Sequence, residues 1–323
     1  MARLERISDK EREFIVGSCF HADQTSKDVA SLLGVREHAA RYTRDSLIER
    51  GIIRPVYHID YFRLGYNDFG IYLSRGSENS SGRRRFESQI EKAPGIFWLA
   101  KTGGAFQYGM SFVTRNPHNL GSLMSLARPS DSGVHFEKTI GLRLDWTIYP
   151  PSYLTGDTKK RPMITMAPRD ESIKLDEVDI KVLRALSEHP TGSLAHIARA
   201  LSMNASSVSY RIEQLRKSGV IQAQRYILNL PILGFNNYRL ILVDRGLSAE
   251  QRQELFRLCS RHPSVVAFLN CTGDWDFELR FEAESPNEID PFCQLLYDTF
   301  GNAIGGIKTM QQHEVLKHVA FAG

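Results

Sequence analysis

The chain has 323 residues, of which 42% are hydrophobic and 24% are charged. This length suits two or more domains, and the composition is typical of globular proteins rather than of disordered chains. The formal net charge of +4 allows an anionic partner without requiring one. The longest aliphatic runs, such as LILV after Arg239, have the length of a strand, so we expect no membrane span and no membrane partner.

Cysteine usage and the N-terminus bear on the compartment of the protein. The four cysteines are widely separated and form no C-x-x-C pair: Cys19, Cys259, Cys271 and Cys293. Such spacing favours reduced, structural thiols. The first residues, MARLERISDKERE, are charged and lack an apolar core, which predicts that no secretory signal is present. We therefore expect a cytoplasmic protein.

The sequence repeats itself with an offset of 168 or 169 residues. Tyr42 then matches Tyr210, and Gly51 matches Gly219. Because turn residues and apolar spacing stay aligned over roughly 100 residues, we interpret the chain as a duplicated two-domain unit. The segment 151–173 between the copies is rich in proline and charge, which is typical of a linker.

Each copy opens with the signals of three helices. In the second copy Asp176 and Asp179 have the spacing of a capping box, and Ser193 is suited to cap a second helix. The first copy repeats these signals at Ser8, Glu11 and Thr25. The third helix of each copy is predicted from REHAARYTRDSLIER and NASSVSYRIEQLRK, in which apolar residues recur at helical spacing.

Three helices with a tight turn before the third, followed by a β-rich run, predict a winged helix-turn-helix over 1–60 and again over 174–230. The third helix of this motif lies in the major groove of DNA and contacts it through polar side chains. The candidate DNA-binding residues are Arg36, His38, Arg41 and Tyr42 in the first copy, and Asn204, Ser206, Ser207, Tyr210, Arg211 and Gln214 in the second.

The ends and one inner position of these third helices lead to further expectations. Asn204 suits an N-cap, and Gly51 and Gly219 suit a left-handed residue at the C-terminus. Arg44 stands where the second copy has the apolar Ile212. Either its stem packs while its charged end reaches solvent, or the first helix has an altered register.

The second half of each copy, 61–150 and 231–323, follows a strand–helix–strand–strand–helix–strand order. This order predicts a ferredoxin-like (βαββαβ) α/β sandwich, with two helices on one face of one sheet. Along one strand, Trp275, Phe277, Leu279 and Phe281 alternate with Asp276, Glu278, Arg280 and Glu282, which predicts one buried and one exposed face. The predicted fold is α+β: two winged helix-turn-helix domains and two sandwiches in a tandem repeat.

Three segments of the second copy carry a resemblance to a known family. LDEVDIKVLRALSEH, LSMNASSVSYRIEQLRKSGVI and TGDWD are similar to segments of the Lrp/AsnC (leucine-responsive, feast/famine) transcription regulators. The resemblance covers 175 to about 319 well and 7 to about 149 more faintly. It implies a regulator of transcription that binds double-stranded DNA and pairs through its sandwich domains. In a tandem chain this implies an intrachain pseudo-dimer, and we expect a further homo-oligomer.

The resemblance also implies a small effector, commonly an amino acid, at the turn formed by Gly273, Asp274, Trp275 and Asp276. The matching turn of the first copy has lost both acids, so a charged amine is not expected there. The alternative is that the two aspartates only fix the turn by accepting bonds from nearby amides.

Two other functions stay open at this point. The sequence has no phosphate-binding loop, no metal-spaced cluster and no nucleophile in a recognisable setting, so we expect no catalytic residue, metal or cofactor. Siroheme decarboxylases resemble this fold, also as two related units, but GIFWLAKTGG and SVVAFLNCTGD carry no histidine for such a site. The other alternative is a protein-interaction module that has lost DNA binding.

Overall fold

The computed structural model describes residues 4–74, 80–126, 136–159 and 161–323. The parts of the predicted domains that fall on residues 1–3, 75–79, 127–135 and 160 lie outside this range. The helices of the described residues are α1 (Asp9–Gly17), α2 (Ser26–Leu33), α3 (Glu37–Glu49), α4 (Ser80–Lys92), α5 (Asn119–Leu126), α6 (Glu177–Glu188), α7 (Leu194–Ala200), α8 (Ala205–Lys217), α9 (Leu230–Leu233), α10 (Ala249–Arg261) and α11 (Ile289–Phe300).

The strands alternate with these helices in the same order in both copies. They are β1 (Ile53–Ile59), β2 (Asn67–Ser74), β3 (Ile96–Gly104), β4 (Tyr108–Thr114), β5 (Glu137–Ile148), β6 (Ile164–Met166), β7 (Ile221–Leu228), β8 (Asn236–Asp244), β9 (Val265–Gly273), β10 (Phe277–Ala283) and β11 (Ile304–His318). Copy one therefore comprises α1–α5 with β1–β5, and copy two comprises α6–α11 with β7–β11. The short strand β6 lies in the linker.

The predicted helix starts are confirmed by the capping contacts. Ser8 with Glu11, and Asp176 with Asp179, form capping boxes at the starts of α1 and α6. Thr25 and Ser193 cap α2 and α7 through their side chains, as predicted. Each cap satisfies an amide that the first helical turn leaves without a partner.

The four sandwich strands of each copy have the ferredoxin-like order, β3-β4-β2-β5 in the first and β9-β10-β8-β11 in the second. Strand β5 also pairs with β9, and β11 pairs with β3, so each sheet is joined to the other at both edges. The eight strands close into a ring, and β6 pairs with the outer end of β5. The two copies therefore pair within one chain, as the sequence predicted.

Ring closure corrects one expectation about β10. The alternation along this strand predicted that the face bearing Glu278 is exposed, but Glu278 is buried because that face points into the ring. The opposite face, with Phe277, Leu279 and Phe281, packs under α10 and α11. Both faces of the strand are thus covered, one by helices and the other by the second sheet.

The helix-turn-helix domains are joined by an antiparallel ribbon of β1 and β7, in which Ile53 lies opposite Leu228. Each ribbon strand packs into the domain of the other copy. Tyr226 of β7 lies in the core around α1–α3, and Ile59 of β1 lies in the core around α6–α8. Such exchange of apolar residues fixes the two domains relative to each other through the ribbon.

No described helix is longer than 13 residues, as in α3, α4, α8 and α10. At 1.5 Å per residue this is about 20 Å, less than the roughly 30 Å hydrocarbon core of a bilayer. Within the described ranges, no helix is therefore long and apolar enough to cross a membrane.

Candidate nucleic-acid interface and interdomain pocket

The third helices α3 and α8 present the predicted polar face to solvent. Three of the four candidates on or next to α3 are exposed cationic or imidazole groups, and the α8 candidates are exposed apart from the half-buried Arg211. The exposed residues are Arg36, His38, Arg41 and Tyr42 in the first copy, and Asn204, Ser206, Ser207, Tyr210 and Gln214 in the second.

Two large aromatic side chains stand at matching positions of these helices. Tyr42 is 76% exposed and Tyr210 is 60% exposed. The apolar positions one turn away face inward, since Leu47 and Leu215 are buried in both helices. A tyrosine offers a flat apolar ring and a hydroxyl, a combination enriched where proteins bind partners. The same surface is therefore available on both copies.

Arg211 has a different environment from the one that its place on the sequence suggested. Its Nη1 donates to the carboxylates of Asp176 and Asp179, the capping pair of α6. The guanidinium thus ties the third helix of the copy to its first helix. A DNA contact by Arg211 requires sharing or breaking this pair, so the remaining α8 candidates are freer to reach DNA.

The other two cations of α8 are also in ion pairs. Arg216 pairs with Asp23 of the first copy at 2.7 Å, and Lys217 pairs with Glu213 at 2.6 Å. In contrast, Arg36 and Arg41 of the first copy make no ion pair with any residue that the structure describes. Helix α3 and its N-cap residue therefore present free positive charge, and α8 presents mainly neutral donors and acceptors.

The end residues of the helices agree in position with the sequence. Gly51 and Gly219 have positive φ values of 67° and 74°, the left-handed conformation that glycine tolerates best. Asn204 stands at the N-cap position of α8, but its side chain makes no capping hydrogen bond. The register of α3 is unaltered, and Arg44 is half-buried with its Nε 3.0 Å from Asp45. Its stem packs while its charged end reaches a surface partner, which decides between the two alternatives.

The Gly273–Asp276 turn joins the two sheets. The amide of Ile140 donates to Oδ2 of Asp274 over 2.7 Å, and the amide of Asp274 donates to the carbonyl of Ile140 over 3.0 Å. Asp276 accepts from the amide of Asp244 over 2.7 Å, and Trp275 is buried inside the ring. These aspartates bond backbone amides, one of them across the junction between copies.

Gly273 is required by close approach at this junction. Its φ is 131°, and a Cβ at this position would lie 2.6 Å from the carbonyl oxygen of Ile140. Gly104, the matching glycine, approaches the carbonyl of Thr309 in the same way, with 2.8 Å to a Cβ. The glycines of both turns therefore allow strands of the two copies to meet edge to edge.

A pocket of about 70 Å³ lies between the β1–β7 ribbon and one end of the ring. His58 and Arg225 reach it from the ribbon, and Arg280, Trp146 and His318 reach it from the ring strands. The remaining lining residues are mostly apolar or aromatic: Val56, Tyr57, Ile59, Tyr61, Phe62, Asp68, Phe97, Trp98, Met166, Ile227, Val319 and Ala320. The pocket thus combines aromatic walls with cations and two imidazoles.

Below the pocket, charged residues form a buried network inside the ring. Arg143 donates to Asp68 over 3.1 Å and to Glu278 over 2.9 Å. Arg239 also donates to Glu278 and lies 3.7 Å above the ring of Trp98. Burial by itself raises the pKa of Glu278, but Arg143 and Arg239 outweigh it and hold the pKa at about 2. The glutamate is therefore ionised, and both of its oxygens accept hydrogen bonds from arginines.

The pocket histidines lie in a positive field. Burial first, and then Arg225 and Arg280, lower the pKa of His58 well below its usual value. His318 is partly exposed, but desolvation of its ring, followed by Arg54 and Arg225, lowers its pKa to about 3. Both imidazoles are therefore neutral near pH 7 and able to donate through one nitrogen and accept through the other. Nη2 of Arg54, at the pocket edge, lies 3.0 Å from Nδ1 of His318.

These pocket residues were missed in the sequence because they come from segments far apart in the chain. The segments GIFWLAKTGG and SVVAFLNCTGD, which carry no histidine, fall on β3 and β9, whereas the two histidines belong to β1 and β11. A signal was present in the repeat: His58 matches Tyr226 and Arg225 matches Tyr57, so the copies differ in chemistry on matching strands. Among the residues described, no group of three or more histidine, cysteine, aspartate or glutamate residues is placed to hold a metal ion.

Comparison with known proteins adds evidence of a different kind. A family model described as winged helix-turn-helix DNA-binding matches residues 175–222. The HTH-type transcriptional regulator FL11 of Pyrococcus horikoshii is 27% identical over 145 residues, which are 45% of this chain and 91% of that relative. The glutamate uptake regulatory protein of Zymomonas mobilis is 26% identical over 146 residues, or 45% of this chain and 88% of the relative.

The chain is similar to helix-turn-helix regulators of transcription. Each of these relatives matches less than half of the chain but most of its own length, as expected for a chain with two copies of the unit. The second copy carries a winged helix-turn-helix of the DNA-binding type. Its relatives are named as regulators of transcription or of glutamate uptake.

The arrangement of both copies in this chain is similar to that of the siroheme decarboxylase NirDL. The structures agree with a TM-score of 0.58 over 96% of this chain and 92% of NirDL, at 12% identity. NirDL with an iron-uroporphyrin III analogue gives a TM-score of 0.59, also at 12% identity, over 98% of this chain and 95% of that one. At this identity the similarity concerns the fold alone.

Proposed function

We propose that this protein is a sequence-specific regulator of transcription of the Lrp/AsnC type, and that it places both α3 and α8 in the major groove of DNA. The main support is the exposure of Tyr42 and Tyr210 at matching positions, each next to exposed polar side chains. The ribbon of β1 and β7 relates the two helices as the halves of a pseudo-dimer. A two-fold arrangement of this kind suits a DNA site made of two half-sites.

The two helices contribute different chemistry to this interface. Arg36 and Arg41 carry free charge suited to phosphates, which supply affinity independent of sequence. The hydroxyls and amide of Ser206, Ser207 and Gln214 suit base edges, which supply specificity. The half-site under α8 is therefore expected to be the more stringent in sequence.

The test begins by selecting bound fragments from genomic DNA and continues with gel-shift titration. Tyr42→Ala and Tyr210→Ala should each weaken binding to the selected site by about 1–3 kcal/mol, or roughly 5- to 150-fold. Leu295→Ala, an exposed apolar residue on α11, is the control and should bind like the unmodified chain.

Salt dependence separates this function from a protein-interaction module. A chain making several phosphate contacts should lose affinity with a slope of about one power of salt per contact. Absence of salt-dependent affinity for any duplex would overturn the DNA-binding proposal and favour the interaction module.

We also propose that the Gly273–Asp276 turn is an effector site. Asp274 is exposed and uses only Oδ2 toward Ile140, which leaves Oδ1 able to accept from an α-ammonium. In gel shifts with a panel of amino acids, Asp274→Asn should abolish any effect on DNA affinity. If the response persists in this variant, the aspartate has only its structural bond. Association into a further homo-oligomer and a cytoplasmic location stay predictions.

A second candidate function is a tetrapyrrole enzyme. It is favoured by the two neutral histidines, His58 and His318, in a pocket of a fold similar to NirDL. Purified protein titrated with coproporphyrin III should then show a shifted visible absorption band that His58→Ala and His318→Ala each remove. No spectral change at any porphyrin concentration would exclude this candidate and leave the regulator.

A further inference from the structure

The pocket between ribbon and ring holds more positive charge than its neighbourhood balances. Arg225 and Arg280 line it, and Arg54 lies at its edge. No carboxylate of the described residues lies within ion-pair distance of these three guanidinium groups. The acid in the lining, Asp68, is already paired with Arg143. Positive charge that is partly removed from water without a counter-charge is costly to the fold.

Polar atoms at the same place lack partners. Trp146 is only 5% exposed, and its indole N–H has no acceptor. Nε2 of His58 and Nε of Arg280 are shielded from solvent and also have no hydrogen-bond partner. Buried polar groups are nearly always paired in folded proteins, so these three groups around one cavity are suited to bond a polar ligand.

The aromatic wall indicates the body of that ligand. The guanidinium of Arg280 lies 4.4 Å from the centroid of the Trp146 ring, and Trp98 and Phe97 also line the cavity. A small inorganic anion would leave this apolar surface uncovered, whereas a flat aromatic acid would cover it.

The duplication allows the pocket residues to be compared with the residues at the matching positions of the other copy. The positions that match Arg54, His58, Arg225 and Arg280 in the other copy are Gln222, Tyr226, Tyr57 and Ser111. Trp98, Trp146 and His318 correspond to Ala267, Val315 and Ile148, which occupy the matching places in the strand pairing. The charged set is therefore assembled on one side of the pseudo-dimer, although the scaffold offers two equivalent sides.

We propose that this pocket binds a small anion that carries a carboxylate or phosphate on a flat aromatic body. Arg225 and Arg280 hold the anionic group, with Arg54 closing the edge, and Trp98 and Trp146 contact the aromatic body. The ligand supplies the counter-charge and the acceptors that the pocket lacks.

The position of the pocket also gives it a route to the DNA interface. Its roof is the β1–β7 ribbon, and these strands begin directly after α3 and α8. A ligand between ribbon and ring shifts DNA affinity only by as much as it favours one placement of the ribbon. This coupling rests on the proposed DNA-binding function, whereas ligand binding itself does not.

The binding test is calorimetric titration of the full chain without DNA. The probes are naphthalene-2,6-dicarboxylate, 1-naphthyl phosphate and the neutral control 2,6-bis(hydroxymethyl)naphthalene. At least one anionic probe should bind, the neutral diol should bind at least tenfold more weakly, and Arg225→Gln should weaken the anion about tenfold or more. Arg257→Gln, which removes an exposed charge from α10, is the matched control and should bind normally.

Stability of the ligand-free variants provides a second readout. Removing an uncompensated cation should leave the urea midpoint of Arg225→Gln and Arg54→Gln equal to or above that of the unmodified chain. Equal affinity for the diol and the diacid would overturn the proposal, as would unchanged anion binding in both variants or no binding of either anion at millimolar concentration. A variant less stable than the unmodified chain would show that the cation is already compensated, which also contradicts it.

Calorimetric titration with coproporphyrin III tests the size of the ligand that the pocket accepts. Charge-dependent binding of the naphthalene anions supports a small aromatic acid, whereas charge-dependent binding of the porphyrin alone contradicts it. Gel shifts with and without the bound probe then test the coupling. If calorimetry succeeds and no duplex is bound, the DNA-binding proposal fails while the pocket stands.

Discussion

On the inner face of the ring, the second copy contributes Arg239 and Glu278, whereas the matching positions of the first copy are Gly70 and Gly109. A Cβ on Gly70 would lie 2.9 Å from Arg143, and one on Gly109 would lie 2.9 Å from Trp98 and from Tyr72. Where the second copy has these long charged side chains, Gly70 leaves room for Arg143, and Gly109 leaves room for Trp98 and Tyr72. The two halves are complementary rather than alike.

This difference shows what a fused pair is able to do that a homodimer is not. In a homodimer every substitution appears twice, so an arginine on the inner face would meet its own copy across the two-fold axis. In the fused chain, Arg143 of the first copy can share a buried network with Arg239 and Glu278 of the second, while the positions that match Arg239 and Glu278 stay small and neutral. The same freedom allows the pocket cations to gather on one side.

The largest loss of stability is expected from removing Glu278, the acid that two buried arginines share. Glu278→Ala leaves Arg143 and Arg239 buried without their shared counter-charge, which should lower the free energy of unfolding by about 3–5 kcal/mol. Urea denaturation measures this change. Glu254→Ala removes an acid paired with Arg257 on the surface of α10 and should cost less than about 1 kcal/mol. Equal losses in the two variants would contradict the importance of the network.

The space at the glycine positions of the first copy is tested by Gly109→Ala. The added methyl group meets Trp98 and Tyr72, and this overpacking should cost about 1–3 kcal/mol of unfolding free energy. Gly121→Ala on α5 is the control, because no atom lies within 4 Å of its Cβ position and alanine favours the helix. Gly121→Ala should be neutral or stabilising in the same urea experiment; a neutral Gly109→Ala would mean that this space is not needed.

A third asymmetry concerns His262, which matches Ala93 in the first copy. Burial, followed by the charge of Arg161, lowers the pKa of His262 to about 4 in the folded chain, against about 6.5 when unfolded. The unfolded chain therefore binds more protons between these values, and the free energy of unfolding should fall as pH drops from about 6.5 to about 4.

His262→Gln should flatten this pH dependence. Because the side chain is half-buried, we expect a contribution of about 1 kcal/mol at pH 5, measured as the difference in urea stability between pH 7 and pH 5. His38→Gln, at an exposed position of α3, is the control. An unchanged profile in His262→Gln would assign the acid sensitivity to other groups.

The smallest effect on stability is expected at the third helices, α3 and α8. Arg211→Gln removes an exposed pair with Asp176 and should lower the melting temperature slightly while changing the salt slope of DNA binding little. Arg41→Gln should leave the melting temperature unchanged and reduce the salt slope by about one. The reverse pattern would show that α8, rather than α3, supplies the phosphate contacts.

Local signals in the sequence were sufficient for the helices and the order of elements. The capping pairs Ser8–Glu11 and Asp176–Asp179 were recognisable because a cap depends on residues three positions apart. The repeat then predicted the pairing of the two sheets. The environment of Arg211 was missed because its partners lie 35 and 32 residues away on another helix.

The sequence by itself determined the duplicated unit, its α+β elements and the polar face of the third helix in each copy, because these depend on periodicity and on neighbouring residues. Only the tertiary structure decided that the Glu278 face of β10 is buried, and that His58, Arg225, Arg280 and His318 share one pocket. These facts depend on ring closure and on ribbon pairing, which bring together residues more than 100 positions apart. No local pattern encodes such contacts, since each strand carries only its own part of the site.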